Sequence, residues 1–219
     1  MKSILLIFSL LQALVWSPGK VVDDNDALTN AAWKSQEIPS NVKTRMTGKS
    51  YKKNCTVAWS DLRYLQLLHR NKDGKTQLGE MVCNKAIASK LITIFKALYE
   101  KNYRIERMVL IDDYDADDEK SMKANNTSCF NFRQVQGSKK LSKHSQGMAV
   151  DVNPLYNPFK DRKGKISPAG SEKYVNRSLK GTIFPLIDTS DLCYKLFVQN
   201  GARWGGAWKT MKDWQHFEF

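Results

Sequence analysis

The residue types that could do chemistry stand in two short stretches of this sequence. In the first, Asp151 follows His144 by seven residues and lies between Val150 and Val152, in an apolar run that favours a β-strand. A carboxylate buried in such a run needs a compensating positive charge. A divalent metal shared with His144 would provide it, because imidazole and carboxylate are both ordinary zinc ligands. On this stretch alone a structural alternative is equally good, in which His144 caps a turn and Asp151 makes a structural hydrogen bond.

The second stretch, at the C-terminal end of the sequence, contains Asp213 and His216 in an aromatic run. A catalytic zinc site has three protein ligands and one open position for water, and His144, Asp151 and His216 supply such a set. The metal would lower the pKa of its bound water from ~15.7 towards ~7. Asp213 is placed to act as the general base and later to protonate the leaving amine. Arg133 is the candidate cation for an anionic tetrahedral intermediate.

These residues resemble a known signature in both order and spacing. The matching residues are Ser142-x-His144-x-x-Gly147-x-Ala149-x-Asp151, paired with Asp213-x-x-His216-Phe217-Glu218. The pattern resembles the VanY-like D-alanyl-D-alanine carboxypeptidase family, part of a zinc-peptidase group that includes lysostaphin-type enzymes and the Hedgehog signalling domain. The resemblance covers roughly residues 60–219.

The resemblance implies roles for six residues. His144, Asp151 and His216 would hold one zinc ion, and Asp213 would be the catalytic acidic residue. Ser142 and Arg133 would position the substrate, and Arg133 would also stabilise the intermediate. The list of implied site residues is therefore His144, Asp151, His216, Asp213, Ser142 and Arg133.

The resemblance also implies a reaction. The chain would be a zinc metallopeptidase that hydrolyses peptidoglycan stem peptides, with D-alanyl-D-alanine carboxypeptidase activity as the first expectation. Many D,D-peptidases of this family carry Glu at the position of Asp213, whereas phage-type L-alanyl-D-glutamate endopeptidases carry Asp, so a lysin-like endopeptidase is the alternative. A third reading is a non-catalytic zinc-containing wall-binding or receptor-binding module of the Hedgehog type.

The fold that the resemblance implies is α+β, with one small antiparallel sheet flanked by helices and the zinc site on one sheet face. The sequence pattern agrees with it. Turn residues at 71–74 between apolar runs predict a hairpin over 59–82, with a helix through 60–69 as the competing interpretation. His69 is expected at a strand end as an ordinary polar residue. Asn84 is expected to cap a helix that ends near Lys101, and Thr189 or Ser190 to cap a helix through Gln199.

Between these elements, the apolar stretch from Arg107 to Ile111 predicts a short strand. This strand would lead into an acidic loop, residues 112–119. The loop lacks the central glycine and the terminal glutamate spacing of an EF-hand. A solvated acidic loop is therefore preferred to a calcium site, although the sequence leaves calcium open.

The chain of 219 residues predicts three segments. Residues 1–19, with one Lys, a short apolar run and small residues behind it, are typical of a secretory signal peptide. Residues 20–58 are polar and lysine-rich and predict a partly ordered N-terminal extension. Residues 59–219 would form the zinc peptidase domain.

The signal peptide predicts export to the periplasm, cell wall or extracellular space. In such a compartment the four cysteines could form disulfides or remain buried thiols. The net charge of +13 favours polyanions such as anionic wall polymers. No nucleic-acid motif is present and none of the apolar runs is long enough to span a membrane comfortably, so neither a nucleic-acid partner nor a membrane span is expected. The expected state is a monomer.

Overall fold

A long hairpin forms the centre of the fold. The computed structural model describes residues 15–135, 137–179 and 185–219, so most of the expected signal peptide lies outside the described residues. The hairpin consists of β2 (Leu62–Arg70) and β3 (Thr76–Asn84), paired antiparallel along their whole length. The side chain of Asn71 accepts hydrogen bonds from the backbone N–H groups of Asp73 and Lys75, each 3.0 Å long. This closes the expected turn, so the hairpin is confirmed and the competing helix is wrong.

Helix α2 (Ala88–Glu100) packs across this hairpin, with Leu91, Ile94 and Phe95 buried on one face. The helix was expected to begin at an Asn84 cap, and that start is wrong. The side chain of Asn84 instead accepts a hydrogen bond from the N–H of Ala86 and so forms the turn between β3 and α2.

The last helix, α4 (Leu192–Gln199), packs against α2 through an edge-on contact of Phe95 with Phe197 at 6.1 Å. Its cap is neither Thr189 nor Ser190. The side chain of Asp191 accepts the N–H of Cys193 at 2.8 Å, because the carboxylate stands directly before the first helical residue.

The N-terminal extension is more ordered than the sequence suggests. Its strand β1 (Lys34–Gln36) pairs antiparallel with β2, and its helix α1 (Ser40–Met46) buries Val42 and Met46. The expectation of partial order is therefore wrong for residues 20–58. The apolar residues of this segment are spaced too widely among polar ones to produce a helix or strand period. The boundary between this segment and the expected domain at residue 59 stays a prediction.

An ion pair fastens this segment to the hairpin. The guanidinium of Arg45 on α1 binds both carboxylate oxygens of Glu80 on β3, at 2.9 and 2.6 Å. Glu80 has a fully buried side chain and also accepts the hydroxyl of Tyr64 at 2.8 Å. Since a buried carboxylate without a partner is costly, the hairpin depends on α1 being in place.

The segment from Arg107 to Ile111 is not a strand, contrary to expectation. Only an isolated bridge joins Arg107 to Asn126. The side-chain amide of Asn126 pairs with the backbone of Val109 in both directions, at 2.9 and 3.0 Å. The amide thus takes the place of a neighbouring strand.

The acidic loop does not stay solvated as a whole. It forms a 3-10 turn, Ile111–Tyr114, and then α3 (Asp118–Lys123). Asp113 pairs with Arg45 at 2.8 Å and Asp115 with Lys49 at 2.9 Å. These carboxylates therefore serve as partners for the basic N-terminal segment.

Two further small sheets complete the fold, and each has three strands. One has the order β4-β9-β7 and the other β6-β5-β8. The strands are β4 (Ala149–Asp151), β5 (Phe159–Lys160), β6 (Ile166–Ser167), β7 (Arg203–Trp204), β8 (Lys212–Asp213) and β9 (His216–Glu218). With four α-helices in the described residues, the α+β class agrees with the structure. The expectation of a single sheet is wrong, because the pairings after residue 149 are only two or three residues long and do not extend the hairpin.

All four cysteines are free thiols in the structure. Cys83, Cys129 and Cys193 are buried, and burial raises the pKa of each thiol. No helix in the described part of the chain has the length and the apolar character needed to cross a membrane.

The Arg45–Glu80 pair gives the first prediction. Arg45→Gln leaves the carboxylate of Glu80 buried without its cation, so we expect the free energy of unfolding to fall by about 3–5 kcal/mol. Urea titration measures the loss. The control is Lys85→Gln, which removes the exposed Lys85–Asp61 pair and should cost less than ~1 kcal/mol. Equal losses in the two variants would contradict a buried anchor.

Candidate metal centre

The β4–β9 pair brings two of the expected ligands together. Asp151 on β4 lies directly opposite His216 on β9, although 65 positions separate them in sequence. The Nδ1 atom of His216 is 3.0 Å from one carboxylate oxygen of Asp151. The antiparallel pairing of β4 with β9 therefore brings the two sequence stretches together.

The third expected ligand comes from a 3-10 turn, Lys143–Gln146, immediately before β4. Ser142 caps this turn, since its hydroxyl accepts the N–H of His144 at 3.2 Å. The turn ends at Gly147, which has a φ of +66° and comes so close to β3 that an added Cβ would stand 2.6 Å from the backbone nitrogen of Asn84. His144 is held in the interior by this compact turn.

The three side chains form one cluster. Nε2 of His144 is 3.1 Å from the second carboxylate oxygen of Asp151 and 3.3 Å from Nδ1 of His216. One ligand atom from each residue lies within 4.8 Å of the other two. Among the described residues this is the only such grouping of His, Cys, Asp and Glu, and the acidic loop provides none.

The surroundings of the cluster suit a zinc ion. Nδ1 of His144 lies 2.6 Å from the carbonyl oxygen of Cys129, which requires Nδ1 to carry the proton and leaves the Nε2 lone pair directed at the cluster. Two imidazoles and one carboxylate are a donor set that zinc accepts in catalytic sites. The ligand set therefore fits the metal that the sequence predicts.

Electrostatics support the same interpretation. Burial alone would raise the pKa of Asp151, but His144 and His216 hold it well below its usual range. Burial would lower the pKa of His216, yet its interactions with Asp151 and Glu218 raise it to about 10. The carboxylate thus requires a positive charge between itself and His216. A divalent cation would supply that charge and displace the proton.

Asp213 approaches the cluster from the other small sheet, where it pairs with Phe159. The side chains of Asp213 and His216 both begin beside Gly205. A Cβ added to Gly205 would stand 2.8 Å from the Cβ of Asp213 and 3.3 Å from the Cβ of His216. The Oδ1 atom of Asp213 is buried and has no hydrogen-bond partner among the described residues. Burial, helped by the charge of Asp151 and opposed by His216, raises the pKa of Asp213 to about 7.

The comparison with known families decides what this centre resembles. Residues 136–219 match the D-alanyl-D-alanine carboxypeptidase family model. The VanY-like resemblance is confirmed over this segment. No curated protein and no solved structure matches the chain significantly. The matched segment contains the three cluster residues and Asp213, and the family supports a peptidase role.

Arg133 lies outside the segment that matches the carboxypeptidase family, but its backbone adjoins it. Its carbonyl oxygen accepts the N–H of Ser142 at 3.0 Å, and its own N–H bonds to the hydroxyl of Ser145 at 2.9 Å. Its guanidinium forms an ion pair with Asp118. Ser142 itself contributes a turn cap, so the substrate-binding roles of Ser142 and Arg133 stay predictions.

Two residues near the carboxypeptidase-like centre were given no role from the sequence. Glu218 shares one face of β9 with His216, and its carboxylate lies 3.7 Å from Nε2 of that histidine, on the side away from Asp151. The ring of Trp208 lies 5.5 Å from the ring of His216 at an angle of 53°. The spacing of two residues along a strand could have revealed Glu218, because alternate strand residues share a face. No local signal indicates Trp208.

The third histidine, His69, is not part of the cluster. It lies near the end of β2, as expected, but it is 99% buried rather than an ordinary polar residue. Its Nδ1 is 2.6 Å from the carbonyl oxygen of Ile105, and its Nε2 has no partner among the described residues. Burial lowers the pKa of His69 to about 4.

This burial predicts a pH dependence of stability. The native state keeps His69 neutral down to about pH 4, whereas the unfolded chain protonates it near pH 6.5, so between these values the unfolded state binds more protons. Stability should therefore fall as the pH falls from 6.5 to 4, by up to ~1.4 kcal/mol per pH unit from this residue. Urea unfolding of the wild type and of His69→Gln across this pH range measures the contribution of His69 to the free energy of unfolding. A His69→Gln protein with the wild-type slope would contradict it.

Proposed function

We propose that this protein is an exported zinc metallopeptidase that hydrolyses the D-alanyl-D-alanine terminus of peptidoglycan stem peptides. The observation that carries the proposal is the cluster of His144, Asp151 and His216, with the buried Oδ1 atom of Asp213 beside it, inside the segment that matches the carboxypeptidase family. A structural metal site would not need a carboxyl of raised pKa, with one buried oxygen left without a hydrogen bond, next to its ligands.

His144, Asp151 and His216 would hold the zinc ion. When bound, zinc supplies Lewis acidity, which polarises a carbonyl group and makes water acidic enough to attack near neutral pH. The carbonyl of Cys129 accepts a hydrogen bond from Nδ1 of His144 and so holds that ring in place, and the carboxylate of Glu218 gives the ring of His216 a charged neighbour at 3.7 Å from its Nε2.

Asp213 would move the proton. As a carboxylate it accepts a proton from the water whose oxygen attacks the carbonyl carbon of the scissile amide. As a carboxylic acid it then gives that proton to the departing nitrogen while the C–N bond breaks. A pKa of about 7 suits both halves of this cycle, because donor and acceptor forms are then both available near neutral pH.

The remaining predicted residues fit this reaction in supporting roles. Arg133 would bind a substrate carboxylate or the developing oxyanion through its guanidinium. Ser142 would position the substrate, in addition to holding the turn that contains His144.

One alternative within the same chemistry is an L-alanyl-D-glutamate endopeptidase. The presence of Asp rather than Glu at position 213 favours it, since the phage-type endopeptidases have the shorter side chain. A non-catalytic binding module of the Hedgehog type is disfavoured by Asp213 beside the cluster, whose buried Oδ1 atom has no hydrogen-bond partner among the described residues.

Localisation and partners belong to the proposal as well. The apolar run near the N-terminus supports export, and the net charge of +13 supports attraction to anionic wall polymers. The protein would act on stem peptides as a monomer, without nucleic acid and without a membrane span.

Asp213→Asn tests the proposal, because it removes the proton acceptor with little change in shape. Mass spectrometry of defined stem peptides digested by the zinc-loaded wild type should show loss of the terminal D-alanine. In the variant, the rate should fall by at least ~10²-fold while zinc content is unchanged.

Asp73→Asn, in the exposed hairpin turn, is the matched control and should keep full activity. Fragments cut after L-alanine would establish the endopeptidase instead. Full activity of Asp213→Asn would refute the role of Asp213.

A further inference from the structure

A groove on the protein has walls from two distant parts of the chain. It has a volume of about 450 Å³. One wall consists of Lys52, Asn54 and Thr56 from the N-terminal segment, and the other of Phe132, Arg133, Gln134 and Leu141. Leu141 directly precedes Ser142, and the backbones of Arg133 and Ser142 are hydrogen-bonded at 3.0 Å. One lining residue of the groove is therefore the immediate neighbour of the residue that caps the turn containing His144.

The guanidinium of Arg133 is held in this groove by two contacts, which do not occupy all of its N–H donors. Its Nε atom pairs with Asp118, and its Nη1 donates to the carbonyl oxygen of Gln134 at 3.3 Å. Its Nη2 has no hydrogen-bond partner among the described residues. A guanidinium presents five N–H donors in a rigid fork, so donors remain for a ligand oxygen.

The opposite wall offers a second, unpaired cation. Lys52 is exposed and has neither an ion pair nor a hydrogen bond to another described residue through its side chain. Asp118 pairs with Arg133. None of the residues that line the groove is a carboxylate, so the lining itself is cationic.

The groove also has an apolar part. Phe132 is buried, whereas 44% of Leu141 is exposed to solvent. Apolar walls beside two cations suit a short peptide that carries a carboxylate next to small apolar side chains. Stem peptides have this chemistry.

We propose that the N-terminal segment forms the second wall of the substrate groove, in which Lys52 binds a carboxylate of the stem peptide and so determines specificity. This inference rests on the proposed function and extends it. Lys52, Asn54 and Thr56 all lie outside the segment that matches the family, so this wall is a feature of this chain rather than of the matched signature. It also gives the ordered N-terminal segment a role in binding.

The test compares Lys52→Gln with Lys53→Gln, the neighbouring exposed lysine that does not line the groove. The probes are a stem pentapeptide with all carboxylates free, one with its internal carboxylates as carboxamides, and one with its C-terminal carboxylate as a carboxamide. For the free peptide, Lys52→Gln should raise KM about tenfold with kcat within about twofold, because a charge-assisted hydrogen bond is lost. Lys53→Gln should match the wild type.

The effect of Lys52→Gln should vanish on one of the two amidated peptides, and that peptide identifies the bound carboxylate. An equal loss in both lysine variants, a loss confined to kcat, or an effect that persists on both amidated peptides would overturn the proposal.

Calorimetry of the product tetrapeptide with each variant provides a readout that needs no turnover. Tight binding to the wild type and weaker binding to Lys52→Gln supports the groove even if no peptide is cleaved, in which case the proposed reaction alone fails. Equal binding to both proteins would overturn the groove.

Discussion

The contact between Asp151 and His216 across the β4–β9 pair is the constraint on which the site depends. A carboxylate so enclosed is stable only with positive charge beside it. The antiparallel register provides a histidine directly opposite, and the 3-10 turn before β4 adds a second. The same register places Glu218 on the face of His216 and directs the chain so that Asp213 lies next to the cluster. Removal of this pair would therefore leave the other three groups without a common centre.

A second buried carboxylate, that of Glu80, also depends on a neighbouring cation, and its role is structural. Glu80 is enclosed in the hairpin and is compensated by Arg45 from α1, which also binds Asp113. The N-terminal segment is thereby fixed to the hairpin through Glu80 and to the 3-10 turn Ile111–Tyr114 through Asp113. This fixed position lets Lys52 face Arg133 across a groove. The same short segment thus contributes to stability and lines the groove in which we propose that substrate binds.

Parts of this arrangement could be predicted from the sequence because they depend on local pattern. The turn at Asn71–Gly74, the stripe on α2 and the spacing of His144, Asp151 and His216 are examples. Other parts depend on contacts between distant residues. The order of residues 20–58 depends on the β1–β2 pairing, the burial of α1 and the Arg45–Glu80 pair, and the loss of a strand at 107–111 follows from the side chain of Asn126. Neither contact leaves a periodic signal. Trp208 likewise reaches His216 only through tertiary structure.

The central claim is that His144, Asp151 and His216 together bind one zinc ion, and metal analysis of purified protein tests it most directly. We expect one equivalent of zinc per chain in the wild type and in His69→Gln, whose histidine is not part of the cluster. Substitution of His144, Asp151 or His216 by Ala should reduce the zinc content to near zero, while circular dichroism confirms that the fold remains. Retention of a full equivalent of zinc in all three folded variants would contradict the account.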